Sequence, residues 1–369
     1  MDILTTATPA PSAAPAPVVD PPYVIVIGTS AGGMPALTNL ICQLPKSLPA
    51  ALLVVQHLAP SSSGEFLVDR LNRHCDTALA SHLARDGMRI QAGHLYLAPP
   101  DRHLLVRPDG CLLVTKGPHE SHYRPAVDAL FRSAAVAFGA RVVGVVLTGM
   151  LHDGTAGLEF VKRCGGQAVV QDPADAEFDG MPTSALQHVA VDHVVALAQM
   201  GAVLKTLVER PVPPAPNDVN FIPEDLRLEA NIAERVVGTT TAVAQLGTLA
   251  PMTCPQCGGT LWQLNHGQVL RYRCHTGHAF SADALLKDSQ EEIEETLWVA
   301  LRMMEERKNL LASMATRGFG PLSAQQEERI EEMRRHINRL REFLLNGAAG
   351  AVPVDADGSA NGIGRLAAS

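Results

Sequence analysis

The chain has 369 residues, 46% hydrophobic and 18% charged, so it can bury a sizeable core and has room for more than one domain. A formal net charge of −8 with no long basic run argues against nucleic acid as the principal partner. No apolar stretch is long enough to span a bilayer, and the N-terminus lacks the basic start and apolar block of a signal peptide. A cytoplasmic location without membrane insertion is therefore expected.

Residues 1–22, rich in alanine, proline and threonine, read as a disordered leader. The run Tyr23-Val24-Ile25-Val26-Ile27 then stops at Gly28-Thr29-Ser30-Ala31-Gly32-Gly33, and a helical pattern follows. That is a strand, a sharp turn and a helix with a hydroxyl at the apex. Gly28 and Gly32 suit a turn with strained dihedrals and no room for side chains. Taken alone, the element fits a phosphate cradle as well as a nucleophile.

From 23 to about 209, apolar runs alternate with amphipathic segments. The runs are Val24–Ile27, Leu52–Val55, Leu95–Leu97, Val142–Leu147, Ala168–Val170 and His193–Leu197. The segments are Pro35–Leu44, Gly64–His74, Pro125–Phe138, Ala156–Cys164 and Pro182–His188. This alternation predicts an α/β fold, a doubly wound, mostly parallel sheet with helices on both faces. A Pro-Asp-Gly turn between Leu104–Val106 and Cys111–Val114 predicts an edge hairpin. Cys42, Cys75, Cys111 and Cys164 are isolated and read as small buried residues or inert thiols.

In open α/β sheets the chemistry lies beyond the carboxyl ends of the strands. Ser30 follows the first strand, His57 the second, and Asp153 the strand that ends near Leu147. A hydroxyl, an imidazole and a carboxylate thus reach one rim, which is what serine-nucleophile chemistry requires. Taken singly, His57 could close its strand by bonding a carbonyl, and Asp153 could cap the helix from Gly154-Thr155. His152 is a rival base, but neighbours in sequence point in different directions, which favours His57.

These residues belong to motifs that resemble the chemoreceptor methylesterase (CheB) catalytic domain. They are Gly28 to Gly33, Val55-Gln56-His57-Leu58, Tyr123-Arg124-Pro125 through Phe131, Leu147-Thr148-Gly149-Met150-Leu151-His152-Asp153-Gly154, and Gln171-Asp172-Pro173 through Gly180-Met181-Pro182. The resemblance spans roughly 22–208. It implies a serine hydrolase that cleaves glutamyl methyl esters on receptor helices and releases methanol, with related enzymes deamidating glutamine, and no catalytic cofactor. The order Ser, His, Asp separates it from the α/β-hydrolase order Ser, Asp, His. By the resemblance Ser30 is the nucleophile, His57 the general base and then acid, and Asp153 its orienter. Met150 would lend its backbone N–H to the oxyanion, and Arg124 would position an acidic substrate surface. Ala31 departs from the threonine that many receptor methylesterases carry there. The residues before Tyr23 are too few for a fused receiver domain, so phosphorylation control of that kind is not expected.

Arg210–Asn217, with four prolines, reads as a stiff linker, and 210–250 as a linker region in which Asp225–Val237 could form a helix. At 251–281, Cys254-Pro255-Gln256-Cys257 and Cys274-His275-Thr276-Gly277-His278 predict a zinc-ribbon-like module. The chosen ligands are Cys254, Cys257, Cys274 and His278, with His275 the alternative fourth. Three cysteines are too few for an iron–sulfur cluster, and no βαβ context supports a redox motif. A comparable block follows the esterase domain in some receiver-free proteins of the family. Residues 282–346 predict a helical hairpin, with apolar stripes through Ile293, Leu297, Leu301, Met304 and Leu311, and through Ile330, Met333, Ile337, Leu340 and Leu344. Ser323 with Gln326 makes a capping box for its second helix, and 347–369 reads as a flexible tail. The hairpin either packs locally, self-associates or binds a partner such as a methyltransferase or another signalling protein. The competing reading for the whole chain is a non-catalytic signalling scaffold acting through its zinc module and helices.

Overall fold

A computed structural model describes residues 21–75, 79–212, 222–235, 239–316 and 324–346. The expected leader, most of the expected proline linker, the expected break at 317–323 with Ser323, and the expected tail lie outside the described residues. In chain order the first elements are β1 (Tyr23–Thr29), α1 (Gly33–Cys42), β2 (Ala50–Gln56), α2 (Glu65–His74), β3 (Ala80–Leu83), β4 (His94–Leu97), β5 (His103–Val106) and β6 (Leu112–Thr115). Then come α3 (Val127–Phe138), β7 (Val142–Val146), α4 (Thr155–Arg163), β8 (Gln167–Gln171), α5 (Gly180–His188), β9 (His193–Val195), α6 (Leu197–Val208), α7 (Glu224–Arg235) and α8 (Thr240–Leu246). The chain continues through β10 (Gly247–Thr253), β11 (Thr260–Leu264), β12 (Arg271–Cys274), β13 (Ala279–Ser281), α9 (Ala282–Thr316) and α10 (Ala324–Asn346).

Seven strands form one parallel sheet in the order β3-β4-β2-β1-β7-β8-β9. The central strands are apolar throughout because both faces are covered. Along β1, Tyr23, Ile25 and Ile27 pack with Leu37, Leu67 and Leu204 of α1, α2 and α6. Val24 and Val26 face the other way, into a core with Phe131, Leu158 and Met181 of α3, α4 and α5. The fold is thus the doubly wound sheet expected, with β5 and β6 as the expected hairpin.

In the sheet domain two elements were not anticipated, and beyond it α8 was not. Edge strand β3 carries His82 and is only partly buried, so it lacks the apolar run that marks the interior strands. The run through Leu197 crosses from β9 into the start of α6, and a short strand and a helix merge into one apolar signal. One reading is corrected: Cys42 and Cys75 are not isolated thiols but a disulfide. Helices α1 and α2 lie side by side on one face of the sheet, which brings their C-terminal ends together, with the two Cα atoms 4.8 Å apart.

The chain divides into two compact units, residues 1–285 and 286–369. Within the first, β10 to β13 form a separate four-stranded antiparallel sheet. Within the second, Leu301 of α9 and Ile337 of α10 are buried, and Arg341 donates to Glu305 at 3.0 Å.

Candidate active site

Strands β2 and β7 flank β1 in register, with Gly28 opposite both Val55 and Val146, so their carboxyl ends form one rim. The chain leaves β1 through a turn that only glycine permits at two points. A Cβ on Gly28 would lie 2.3 Å from Val127 of α3, and Gly32 has a φ of +71°. Thr148 O accepts from the Ser30 N–H at 3.1 Å and from the Thr29 hydroxyl at 2.9 Å. Gln56 Nε2 donates to the carbonyls of Ser30 and His57, at 2.8 and 2.9 Å, and clamps the two strand ends together.

The Ser30 hydroxyl lies 3.1 Å from His57 Nδ1, while His57 Nε2 lies 2.9 Å from Asp153 Oδ2. In the usual serine triad Nε2 faces the serine and Nδ1 the aspartate; here the ring is turned and the two nitrogens exchange tasks. Asp153 is buried and accepts the first N–H groups of α3, from Val127 at 2.7 Å and Asp128 at 3.1 Å. The positive end of the α3 dipole therefore faces this carboxylate. It does not cap the helix beginning at Thr155, because Asp128 does that, accepting from Gly154 and Gly157 at 2.9 and 2.6 Å. Burial, and then the Asp153 charge, push the Asp128 carboxyl above the ordinary carboxylate range.

His152 points elsewhere: its Nε2 meets the Ser281 hydroxyl at 2.5 Å, and burial lowers its pKa. Met150 and Leu151 are exposed beside the nucleophile, and a Cβ on neighbouring Gly149 would lie 2.9 Å from Ser30 Cβ. Arg124 is engaged inside the protein. It donates to Asp101 Oδ1 at 2.8 and 2.5 Å and to Gly117 O at 3.0 Å, with its side chain 15% exposed. Hydrogen bonds from Lys116 and Arg124 hold Asp101 down to about 2. A guanidinium committed in this way braces its own loop and has little left for an acidic substrate surface.

Tyr123, quoted in a sequence motif but given no role there, lies flat on the His57 imidazole, ring centroids 3.8 Å apart and planes within 8°. Burial, then the Asp153 charge, push its phenol up to about 12, so it stays neutral. Tyr123 closes a tight turn in which its N–H and C=O both bond Glu120, at 2.9 and 3.2 Å. The two residues between, Ser121 and His122, have φ of +46° and +75°. Neither is glycine, and each such residue costs on the order of 1–3 kcal/mol.

The cysteine and histidine module carries the second candidate centre. Cys254, Cys257, Cys274 and His278 converge, their ligand atoms all within 4.8 Å of one another. Tetrahedral zinc with ordinary bond lengths needs sulfur–sulfur edges of about 3.8 Å and sulfur–nitrogen edges of about 3.6 Å. The Cys257–Cys274 sulfurs are 3.8 Å apart, and His278 Nδ1 lies 3.6 and 3.5 Å from Cys254 and Cys274. The donor set therefore fits zinc. His275, the alternative ligand, is not in this cluster and lies edge-on to Trp262.

The module is docked on the sheet domain through buried charge. Glu229 accepts from Arg271 at 2.7 Å, Arg273 at 3.2 Å and Arg132 at 3.3 Å, and Glu120 accepts from Arg132 and Arg273 at 2.5 and 3.1 Å. Glu159 accepts the backbone N–H groups of Gln268 and Val269. Burial alone would raise the pKa of Glu120 and Glu229, but the guanidinium groups outweigh it, holding Glu120 at about 2 and Glu229 below the ordinary range. Their contribution to stability is full above the ordinary glutamate value of 4.5 and is lost as pH falls toward about 2. We expect the module to separate in that window, read as a change in the fluorescence of the buried Trp262 on acid titration. No change before the sheet domain itself unfolds would count against this cluster as the anchor.

A family model described as CheB methylesterase matches residues 25–204. The protein-glutamate methylesterase/protein-glutamine glutaminase of Photorhabdus laumondii is 40% identical over 187 residues, 50% of this chain and 52% of that protein. A Leptospira interrogans relative is 37% identical over 176 residues, covering 48% of this chain and 90% of its own length. The solved Thermotoga maritima CheB methylesterase catalytic domain is 34% identical, with 50% of this chain and 98% of that one covered and a TM-score of 0.48. This chain thus spans about half the length of the Photorhabdus relative and nearly all of the Leptospira one.

Proposed function

The chain belongs to the CheB methylesterase family, and from that premise we propose that it is a serine hydrolase of protein-glutamate methyl esters. The substrate class is methylated chemoreceptors or similar signalling proteins, with glutamine deamidation as a further activity. The observation that carries this reading is the continuous relay from Ser30 Oγ through His57 to Asp153. Ser30 attacks the ester carbonyl while His57 Nδ1 takes its proton, and Asp153 balances the charge on the imidazolium. The tetrahedral oxyanion is held by backbone N–H groups, that of Met150 first among them. His57 then returns the proton to the departing methoxide, giving methanol, and a water activated by the same imidazole releases the glutamate. The experiment is methanol release from a methylated chemoreceptor by the purified chain. No release from any receptor, by protein whose Ser30 reacts with a serine probe, would mean a different ester is the substrate.

The module's four donors would hold zinc in a closed site with no position for substrate, so the metal's part there is to stabilise the fold. Protein prepared without chelator is expected to carry about one zinc per chain by elemental analysis. Metal-free, fully folded protein would remove this assignment.

A further inference from the structure

Strand β13 begins at the residue after ligand His278, and β12 ends on ligand Cys274. Beyond this donor cluster, β13 is anchored to the active-site turn itself. Ser121 N–H donates to Ala279 O at 2.7 Å, Ser281 N–H donates to Ser121 Oγ at 3.3 Å, and the ring of Phe280 lies edge-on to His122. Ser121 and His122 are the two residues held at positive φ, and the turn they form delivers Tyr123 onto His57. The same strand ends at Ser281, whose hydroxyl meets His152, the neighbour of Asp153. A strained turn that supports the catalytic base is therefore braced from outside, by a strand that continues directly from the ligand loop.

The buried charge cluster anchors β12, whereas β13 continues directly from the ligand loop. The apolar core around the ligands is small: Leu261, Tyr272, Phe280 and Leu285 packed with alanines and with Cys254 and Cys274, themselves ligands, while Trp262 and Leu264 pack separately against α7 and α8. Small metal modules of this kind order when the metal binds.

We propose that the cysteine-histidine module is a positioning element of the active site: zinc on Cys254, Cys257, Cys274 and His278 fixes β13, which holds Tyr123 against His57 and so sets the competence of Ser30. The proposal rests on the zinc and serine-hydrolase readings above and adds that the two centres are energetically coupled. It identifies Tyr123 as the positioning residue through which the coupling runs.

The test uses the full chain, zinc-loaded and zinc-stripped, with two readouts. One is the rate at which an aryl ester acylates Ser30. The other needs no catalysis: the NMR resonances of the His57 ring, shifted by the stacked tyrosine ring and assigned with a His57→Gln variant. Stripping zinc is expected to slow acylation about tenfold to a hundredfold, to abolish the ring-current shift, and to be reversed by zinc. Tyr123→Ala should reproduce both effects in zinc-loaded protein and leave little further loss on stripping, whereas Tyr123→Phe should keep wild-type behaviour. Ser121→Ala, which leaves every ligand in place and removes the hydroxyl that accepts from the Ser281 N–H, should give a smaller loss and guards against stripped protein that fails to stay folded. An unchanged ring-current shift without zinc, or equal sensitivity to zinc in Tyr123→Ala, would overturn the coupling. Inert Ser30 in zinc-loaded protein would overturn the hydrolase reading instead, and the His57 resonances would still decide the coupling.

Discussion

Replacing Ser30 with alanine is expected to lower ester hydrolysis about a millionfold, the scale on which a triad nucleophile acts. The reason is that the rest of the relay has no other acceptor for the acyl group: His57 Nδ1 faces only this hydroxyl, and water held in its stead is a weaker, less oriented nucleophile. His57→Gln should cost about as much, and the double variant no more than either alone, since the two act as a unit. Asp153→Asn should cost about 10⁴-fold, because the amide cannot both accept from the α3 N–H groups and accept from the imidazole as the carboxylate does. Methanol release and covalent labelling of Ser30 measure all three. A Ser30→Ala protein that hydrolyses within tenfold of wild type would end the assignment.

The second large effect is on stability. Glu229→Ala takes from buried Arg271 the carboxylate it bonds and leaves Arg273 and Arg132 to share Glu120, and breaking a buried charge cluster in this way costs about 3–5 kcal/mol. The Nε atoms of all three arginines already lack a hydrogen-bond partner, so the loss adds to groups that are under-satisfied from the start. By contrast Asp69→Ala, which removes an exposed pair with Arg73 on α2, should change stability by no more than about 1 kcal/mol. Urea denaturation followed by Trp262 fluorescence compares them. Equal midpoints would show that the module is held by its apolar contacts and not by the cluster.

The parts legible in the sequence were those in which local pattern and final environment coincide. Interior strands such as Val142–Val146 are buried on both faces and so are apolar without interruption. The three polar residues of the relay were readable because each follows such a run, and topology brings the ends of adjacent strands together. What could not be read depends on distant pairings. Glu120 meets Arg273 across 153 residues, and Cys42 meets Cys75 across 33. Neither segment carries a local mark of its partner. A buried arginine looks in sequence like any surface arginine, so nothing local showed that Arg124, given a substrate-facing role by the resemblance, turns its guanidinium in to Asp101. Tyr123 carried no readable role either: nothing local marks an aromatic as a partner of a distant ring, and only the fold lays it on the imidazole.

The reciprocal exchange between α3 and α4 bears on how this scaffold can change over evolutionary time. Asp153 serves the chemistry, but it also satisfies the opening amides of one helix, while Asp128 satisfies those of the next. Ser30 and His57 carry no comparable architectural duty for a helix. In a descendant that abandoned hydrolysis, those two positions would drift first and Asp153 would persist. A surviving aspartate at this position is therefore poor testimony that a relative is still an enzyme, and an intact serine and histidine are the better witnesses.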